Sequence, residues 1–138
     1  MNKNDAFKSF GVNQRCQRRS WSGRNDQLVV LTIWTDQKEF CKREKVYKSK
    51  NTNAYINNWK NKFGNIWRKE DISYCIKNNG GLFRAIFLEP KEKNVFGSTR
   101  VCKRAKPMTS LWFKITDFDI ETGAWSWISL NAEVSEKD

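Results

Sequence analysis

Residues 28–35, LVVLTIWT, constrain the fold more than any other stretch of the chain. From Leu28 to Ile33 the run is nearly continuous in apolar and β-branched side chains. A strand with one wet face would alternate apolar and polar positions instead. A strand of this kind is covered on both faces, so the chain must supply apolar layers above and below it. It is therefore the best candidate for the centre of the sheet. The preceding RRSWSGRNDQ supplies a partner for it, a basic strand around 18–23 with a turn at 24–27 that closes a hairpin.

Helices are expected after this hairpin. Asp36 followed by Glu39 has the spacing of a capping box and predicts a helix carrying Phe40 and Tyr47, its charged residues facing water. A firmer helix is expected over about 53–63, where Tyr55, Ile56, Trp59 and Phe63 share a stripe and Gly64 closes the end. A third is expected over about 69–77, with Glu70 and Asp71 in its first turn, Ile72, Cys75 and Ile76 on one face, and NNGG as its stop. Two strands follow, GLFRAIFLEP and about 98–104, joined by the charged loop KEKNVFG; then LWFKITDF pairs with AWSWISL. The first twelve or so residues, polar and without a period, and the acidic end at 131–138 are expected to be loose.

Strands, then helices, then strands with short connections imply an α+β fold. The expected form is a mostly antiparallel sheet or pseudo-barrel of about five to six strands with two to three helices. In outline this is comparable to the PUA-like pseudo-barrels of base-reading domains. The 138 residues, without an internal repeat or a Pro/Gly/Ser linker, are expected to form a single domain spanning 1–138.

The charge balance narrows the partners. With 26 Lys plus Arg against 15 Asp plus Glu the formal charge is +11, which favours polyanions through long-range attraction and counterion release. Nucleic acid, DNA or RNA, is the expected partner; an acidic protein partner is the rival, and a generically basic surface is the bland alternative. No apolar run resembles a signal peptide or approaches the roughly 20 residues that cross a bilayer, so a cytoplasmic, nucleoid or nuclear setting is expected and no membrane.

Catalytic signatures are thin. There is no histidine, which removes the commonest general base and the usual activator of a Cys or Ser nucleophile. Cys16, Cys41, Cys75 and Cys102 are widely spaced without a Cys-x-x-Cys pair, so they are expected to be reduced thiols, and neither a metal nor a cofactor is expected. DFDIETG, with Asp119-Ile120-Glu121-Thr122, resembles the first motif of DEDD-type proofreading nucleases, in which an Asp and a Glu two apart hold metal ions. That family's two further acidic motifs lie far downstream, whereas this sequence runs only to Asp138. A calcium loop fails at the same segment, since Gly123 falls one place late and Ile128 stands where the twelfth-position Glu belongs. Asp117, Asp119 and Glu121 are accordingly read as a solvated hairpin turn. Glu89-x-Lys91 after an apolar strand, with Asp71 upstream, keeps a metal-dependent nuclease as a minor alternative.

What remains is basic and aromatic residues close together. Arg15, Arg18, Arg19, Trp21 and Arg24 gather in the first hairpin, and Arg100, Lys103, Arg104 and Lys106 form a second basic run. Arginine forks onto phosphate and an indole face accepts an unstacked base, so both runs are candidates for nucleic-acid contact. Trp34 and Trp59, on apolar elements, are expected in the core; the neighbours of Trp67 do not place it. In the last hairpin, closing the turn at Phe118 and Gly123 would put Ile128 opposite Phe113 and gather Trp112, Trp125 and Trp127 with Lys114 on the other face. A shift of one residue would instead move both late tryptophans into the Phe113 and Ile115 face. The first register, which separates aliphatic from Trp and Lys faces, is the expected one.

The sequence thus points to a small basic nucleic-acid-binding domain, with arginines on phosphates and tryptophans as a stacking platform, extended to the reading of a flipped or modified base. A protein-interaction module or inhibitor of a nucleic-acid-handling enzyme and a metal-dependent nuclease are its rivals.

Overall fold

In the computed structural model, which describes residues 1–92 and 100–130, the 28–33 run becomes β2 (Val29–Trp34). Its side chains part by parity: Val29, Leu31 and Ile33 enter one core with Ile72, Phe83 and Phe113, while Val30 enters another with Phe7, Val12, Ile86 and Leu88. The pleat thus feeds two apolar clusters on opposite faces. Thr32, the strand's one hydroxyl, is buried but donates to the Trp21 carbonyl at 2.8 Å.

Residues 1–12, expected to be loose, provide the cover for the second face. Helix α1 (Lys3–Ser9) is capped by Asn2, whose side chain accepts from the Asp5 N–H, and it buries Ala6 and Phe7. Two buried residues in a helix this short carry too little periodicity to show in the sequence.

β2 pairs antiparallel with β1 (Ser22–Arg24) on one side and parallel with β5 (Leu82–Pro90) on the other. Across its far edge β5 pairs antiparallel with β6 (Cys102–Pro107) over its later half, and with β7 (Phe113–Phe118) at Leu82 and Phe83. β8 (Trp125–Ser129) follows β7, then β4 (Val46–Ser49) and β3 (Lys38–Cys41). Among the described residues the fold is α+β, with three helices and an open, mostly antiparallel sheet of eight strands in the order β1-β2-β5-β7-β8-β4-β3, β6 lying off this path on β5. Of the two expected forms the mostly antiparallel sheet is the one observed, with eight strands rather than five to six among the described residues; it does not close into a pseudo-barrel, because the path ends in β1 at one side and β3 at the other.

The helix expected after Asp36 is instead the β3–β4 hairpin, with Phe40 opposite Tyr47 and their rings 5.1 Å apart. The Asp36 carboxylate binds the Arg100 guanidinium rather than a helix N-terminus. The stripe over 53–63 yields only one helical turn, α2 (Ile56–Trp59), and Tyr55 and Phe63 are exposed. Helix α3 (Phe63–Asn79) starts earlier than the acidic pair suggested. Gly64, expected to end the preceding helix, sits in its first turn, because the Trp21 indole lies against it: a Cβ there would come within 2.3 Å of the ring.

The last hairpin takes the register that was not expected. Trp127 faces Ile115, Trp125 faces Phe118 and Lys114 faces Ile128, with a bulge between Ile115 and Asp117. The bulge adds a residue to β7 and reverses the parity, so Trp125 and Trp127 join the Phe113 core while Trp112 stays on the other face. Asn65 fixes the turn. Buried in α3, it donates to the Thr122 carbonyl at 3.0 Å and packs so closely on Gly123, at φ 85°, that a Cβ would lie 2.2 Å from its side-chain oxygen. Ser98 and Thr99 of the strand expected over 98–104, most of the KEKNVFG loop and the 131–138 tail lie outside the described residues, and the observed strand begins at Cys102. No helix among the described residues is long and apolar enough to cross a membrane.

Candidate functional site

Four unconnected segments bring tryptophans to one place. Trp21, just before β1, is held by its carbonyl, which accepts from both the N–H and the hydroxyl of Thr32. Trp59 of α2 donates its indole N–H to the Ala54 carbonyl at 2.8 Å and meets Trp21 edge to face, with centroids 5.9 Å apart. Trp125 opens β8, its backbone bonded in both directions to the Asn53 side chain, and Trp127 follows with its N–H on Ser49 Oγ. Together with Trp34 of β2 these residues line a cleft of about 960 Å³. The volume lies in the range of sites that take small organic ligands.

Arg68 of α3 stands among these rings. Its guanidinium carbon lies 4.9 Å from the ring centroid of Trp21, 5.2 Å from that of Trp59 and 5.5 Å from that of Trp125. The residue is 8% exposed. Among the described residues its hydrogen bonding is one 3.3 Å contact from Nη2 to Asn65 Oδ1, Nε has no protein partner, and no carboxylate pairs with it. Burial pulls its pKa down to about 9, which still leaves a cation at neutral pH. The indole faces, negative at their centres, offset part of the desolvation cost of that charge.

Three more polar groups on the cleft's lining residues share this condition. The indole N–H groups of Trp125 and Trp127 and the Thr52 hydroxyl are buried without a protein partner among the described residues. Each such group costs about 1–3 kcal/mol, and native structures hold few of them, so their concentration around one cleft marks it out.

The rim is basic. Arg18, Arg19, Lys62 and Lys3 line the cleft, and the Arg19 guanidinium lies 5.6 Å from the exposed Phe63 ring. Lys3 donates to the Ser20 carbonyl, and burial lowers its pKa. Arg100 lines the cleft too, over the Trp34 ring at 4.6 Å with its fork on Asp36.

The other candidates stand elsewhere. Arg15 and Arg24 turn away from the rim onto Asp71, and Arg24 covers the Tyr74 ring at 4.1 Å. Lys103 and Arg104 pair with Glu89, and neither they nor Lys106 line the cleft. Trp112 lies under Arg84, at 3.7 Å from the guanidinium carbon, and is not gathered with Trp125 and Trp127; Lys114 is exposed beyond it. Of the expected residues, then, Arg18, Arg19, Trp21, Arg100, Trp125 and Trp127 come together at the cleft.

Arg68, Trp59 and Trp34 were not among them. Trp59 is buried and Trp34 half-buried, yet both also line the cleft. Arg68 had a legible signal: run back from Cys75 and Ile72, the i, i+3/i+4 stripe passes through Arg68 to Gly64, putting a cation at a core position. The acidic pair Glu70 and Asp71, typical of a first turn, masks it by suggesting a helix start at Lys69.

The nuclease candidates are dispersed. Asp71 accepts from Arg15, Arg24 and Ser22, Glu89 binds Lys103 and Arg104, and Asp119 Oδ1 accepts from the Glu121 N–H inside the turn. Among the described residues no three His, Cys, Asp or Glu side chains gather as metal ligands. The four cysteines are free thiols; burial pushes Cys75 up to about 12. Backbone N–H groups of Arg18 and Arg19 lower the pKa of Cys16. Comparison with protein-family models, curated proteins and solved structures returns no match for this chain.

Proposed function

We propose that the protein is a nucleic-acid-binding domain that admits one unstacked base, flipped out of a duplex or presented by a single strand, into the tryptophan cleft. The observation that carries this reading is the cleft itself: aromatic walls of Trp21, Trp59 and Trp125 inside a rim of Arg18, Arg19 and Lys62, in a chain of net charge +11. Indole faces stack bases of any sequence, worth roughly 1–3 kcal/mol each, while the rim cations neutralise the flanking phosphates. In this reading the domain works where nucleic acid is handled.

An acidic protein would be attracted by the same charge and its carboxylates match the Arg68 fork, but a planar heterocycle would also cover the aromatic faces around it. The two contributions separate on titration with short single-stranded DNA and RNA and a duplex carrying an abasic-opposed base. Arg18→Ala with Arg19→Ala is expected to weaken binding to every strand and to reduce the slope of log K against log salt by about 1.5. Trp21→Ala is expected to lose about 1–3 kcal/mol with the slope unchanged. Negligible binding to all strands at low salt would refute the reading.

A further inference from the structure

The hydrogen-bonding character of the cleft selects among bases, an inference that rests on the nucleic-acid reading and deepens it. Arg68 offers five N–H donors in a planar fork and no acceptor, and one contact to Asn65 is all that the described protein supplies to them. Asn65 cannot turn to offer more, because its amide nitrogen is committed to the Lys60 and Thr122 carbonyls at 2.8 and 3.0 Å. The unpaired indole groups of Trp125 and Trp127 are donor-only as well. The unpaired Thr52 hydroxyl can accept as well as donate, but the groups around Arg68, its own fork and the two indoles, are donors.

Two consequences follow from this inventory. A cationic guest, such as a methylated ammonium group, is excluded despite the aromatic frame, because Arg68 already places a positive charge 4.9–5.5 Å from three of its rings. A guest that completes the fork must carry two acceptors side by side. Guanine does so at O6 and N7, and cytosine at O2 and N3. Adenine has none: each of its outer-edge acceptors stands alone or beside the N6 amino donor, which would face the guanidinium donor to donor.

We infer that the cleft is selective for a base edge with two adjacent acceptors, guanine or cytosine, over adenine, and that Arg68 is the residue that reads it. Trp21, half-buried at the cleft, stacks on the ring, and the rim cations hold the backbone without regard to sequence.

The test uses the full chain and short DNA strands in which a single nucleoside is flanked by abasic spacers, titrated by fluorescence anisotropy. Strands bearing guanosine, inosine or cytidine are expected to bind roughly tenfold tighter than the adenosine strand. Inosine keeps O6 and N7 but lacks the 2-amino group, so tight guanosine and inosine strands assign the purine edge, and a tight cytidine strand alone assigns O2 and N3. Arg68→Gln is expected to erase the preference, bringing the guanosine and cytidine strands down to the affinity of the adenosine strand. Should that variant fail to fold, 7-deazaguanosine against the native protein removes one acceptor instead and is expected to lose most of the guanosine advantage. Equal affinity for guanosine, cytidine and adenosine would overturn the inference and leave the nucleic-acid reading intact. No binding of any strand at low salt would overturn both.

Discussion

Asp71 and Arg68 lie one turn apart on α3 and both are buried, yet the protein treats them oppositely. Around Asp71, fully buried, the chain assembles the forks of Arg15 and Arg24 and the Ser22 hydroxyl, drawn from two separate stretches of the N-terminal segment. Around Arg68 it assembles aromatic faces and one amide oxygen, with no carboxylate among the described residues. A buried charge supplied with counter-charges is what a fold needs for its own sake. One left with π-faces in the wall of a cleft is available to something that enters. The contrast sets a paired charge that organises the fold at Asp71 against an unpaired one at Arg68, where recognition is proposed.

Breaking the structural half of this contrast should have the largest effect. Asp71→Asn keeps the shape but removes the charge on which both arginines and Ser22 converge, and is expected to cost about 2–3 kcal/mol in urea unfolding. It falls short of the most severe buried-pair losses because Arg15 and Arg24 are about a third exposed and regain water. A cost below about 0.5 kcal/mol, the level of an ordinary surface change, would mean that the cluster does not organise the N-terminal segment. The smallest effect is expected on the opposite face of the sheet. Trp112→Ala removes a partly exposed ring already covered by Arg84 and should leave oligonucleotide affinity within about twofold, since the proposed stacking is confined to the cleft. A tenfold loss there would move the binding surface to the other face.

The parts that sequence exposed were those with an unambiguous period. The two-sided burial of β2, the hairpin before it, the 82–90 strand and the pairing of the last two strands all follow from local patterns. Errors arose where one residue outweighed the pattern. Asp36 reads as a helix cap until Arg100, distant in sequence, claims it. Gly64 reads as a helix stop until Trp21 needs its missing Cβ. A single bulge after Ile115 turned the late tryptophans from an expected outer wall into the inner one. The site was visible in part: Arg18, Arg19, Trp21, Trp125 and Trp127 stood out by type, whereas Arg68 was hidden by a misplaced helix start.

The sharpest single measurement is the urea stability of Arg68→Met beside its oligonucleotide affinity. If the charge is held for a ligand rather than for the fold, the variant should unfold within about 1 kcal/mol of the native protein, because the apolar side chain escapes the desolvation cost that the π-faces only partly offset. It should at the same time lose roughly tenfold or more in affinity for the guanosine or cytidine strand. A stability loss of about 2–3 kcal/mol, equal to that of Asp71→Asn, with affinity unchanged in the folded fraction, would make Arg68 part of the architecture and contradict the account.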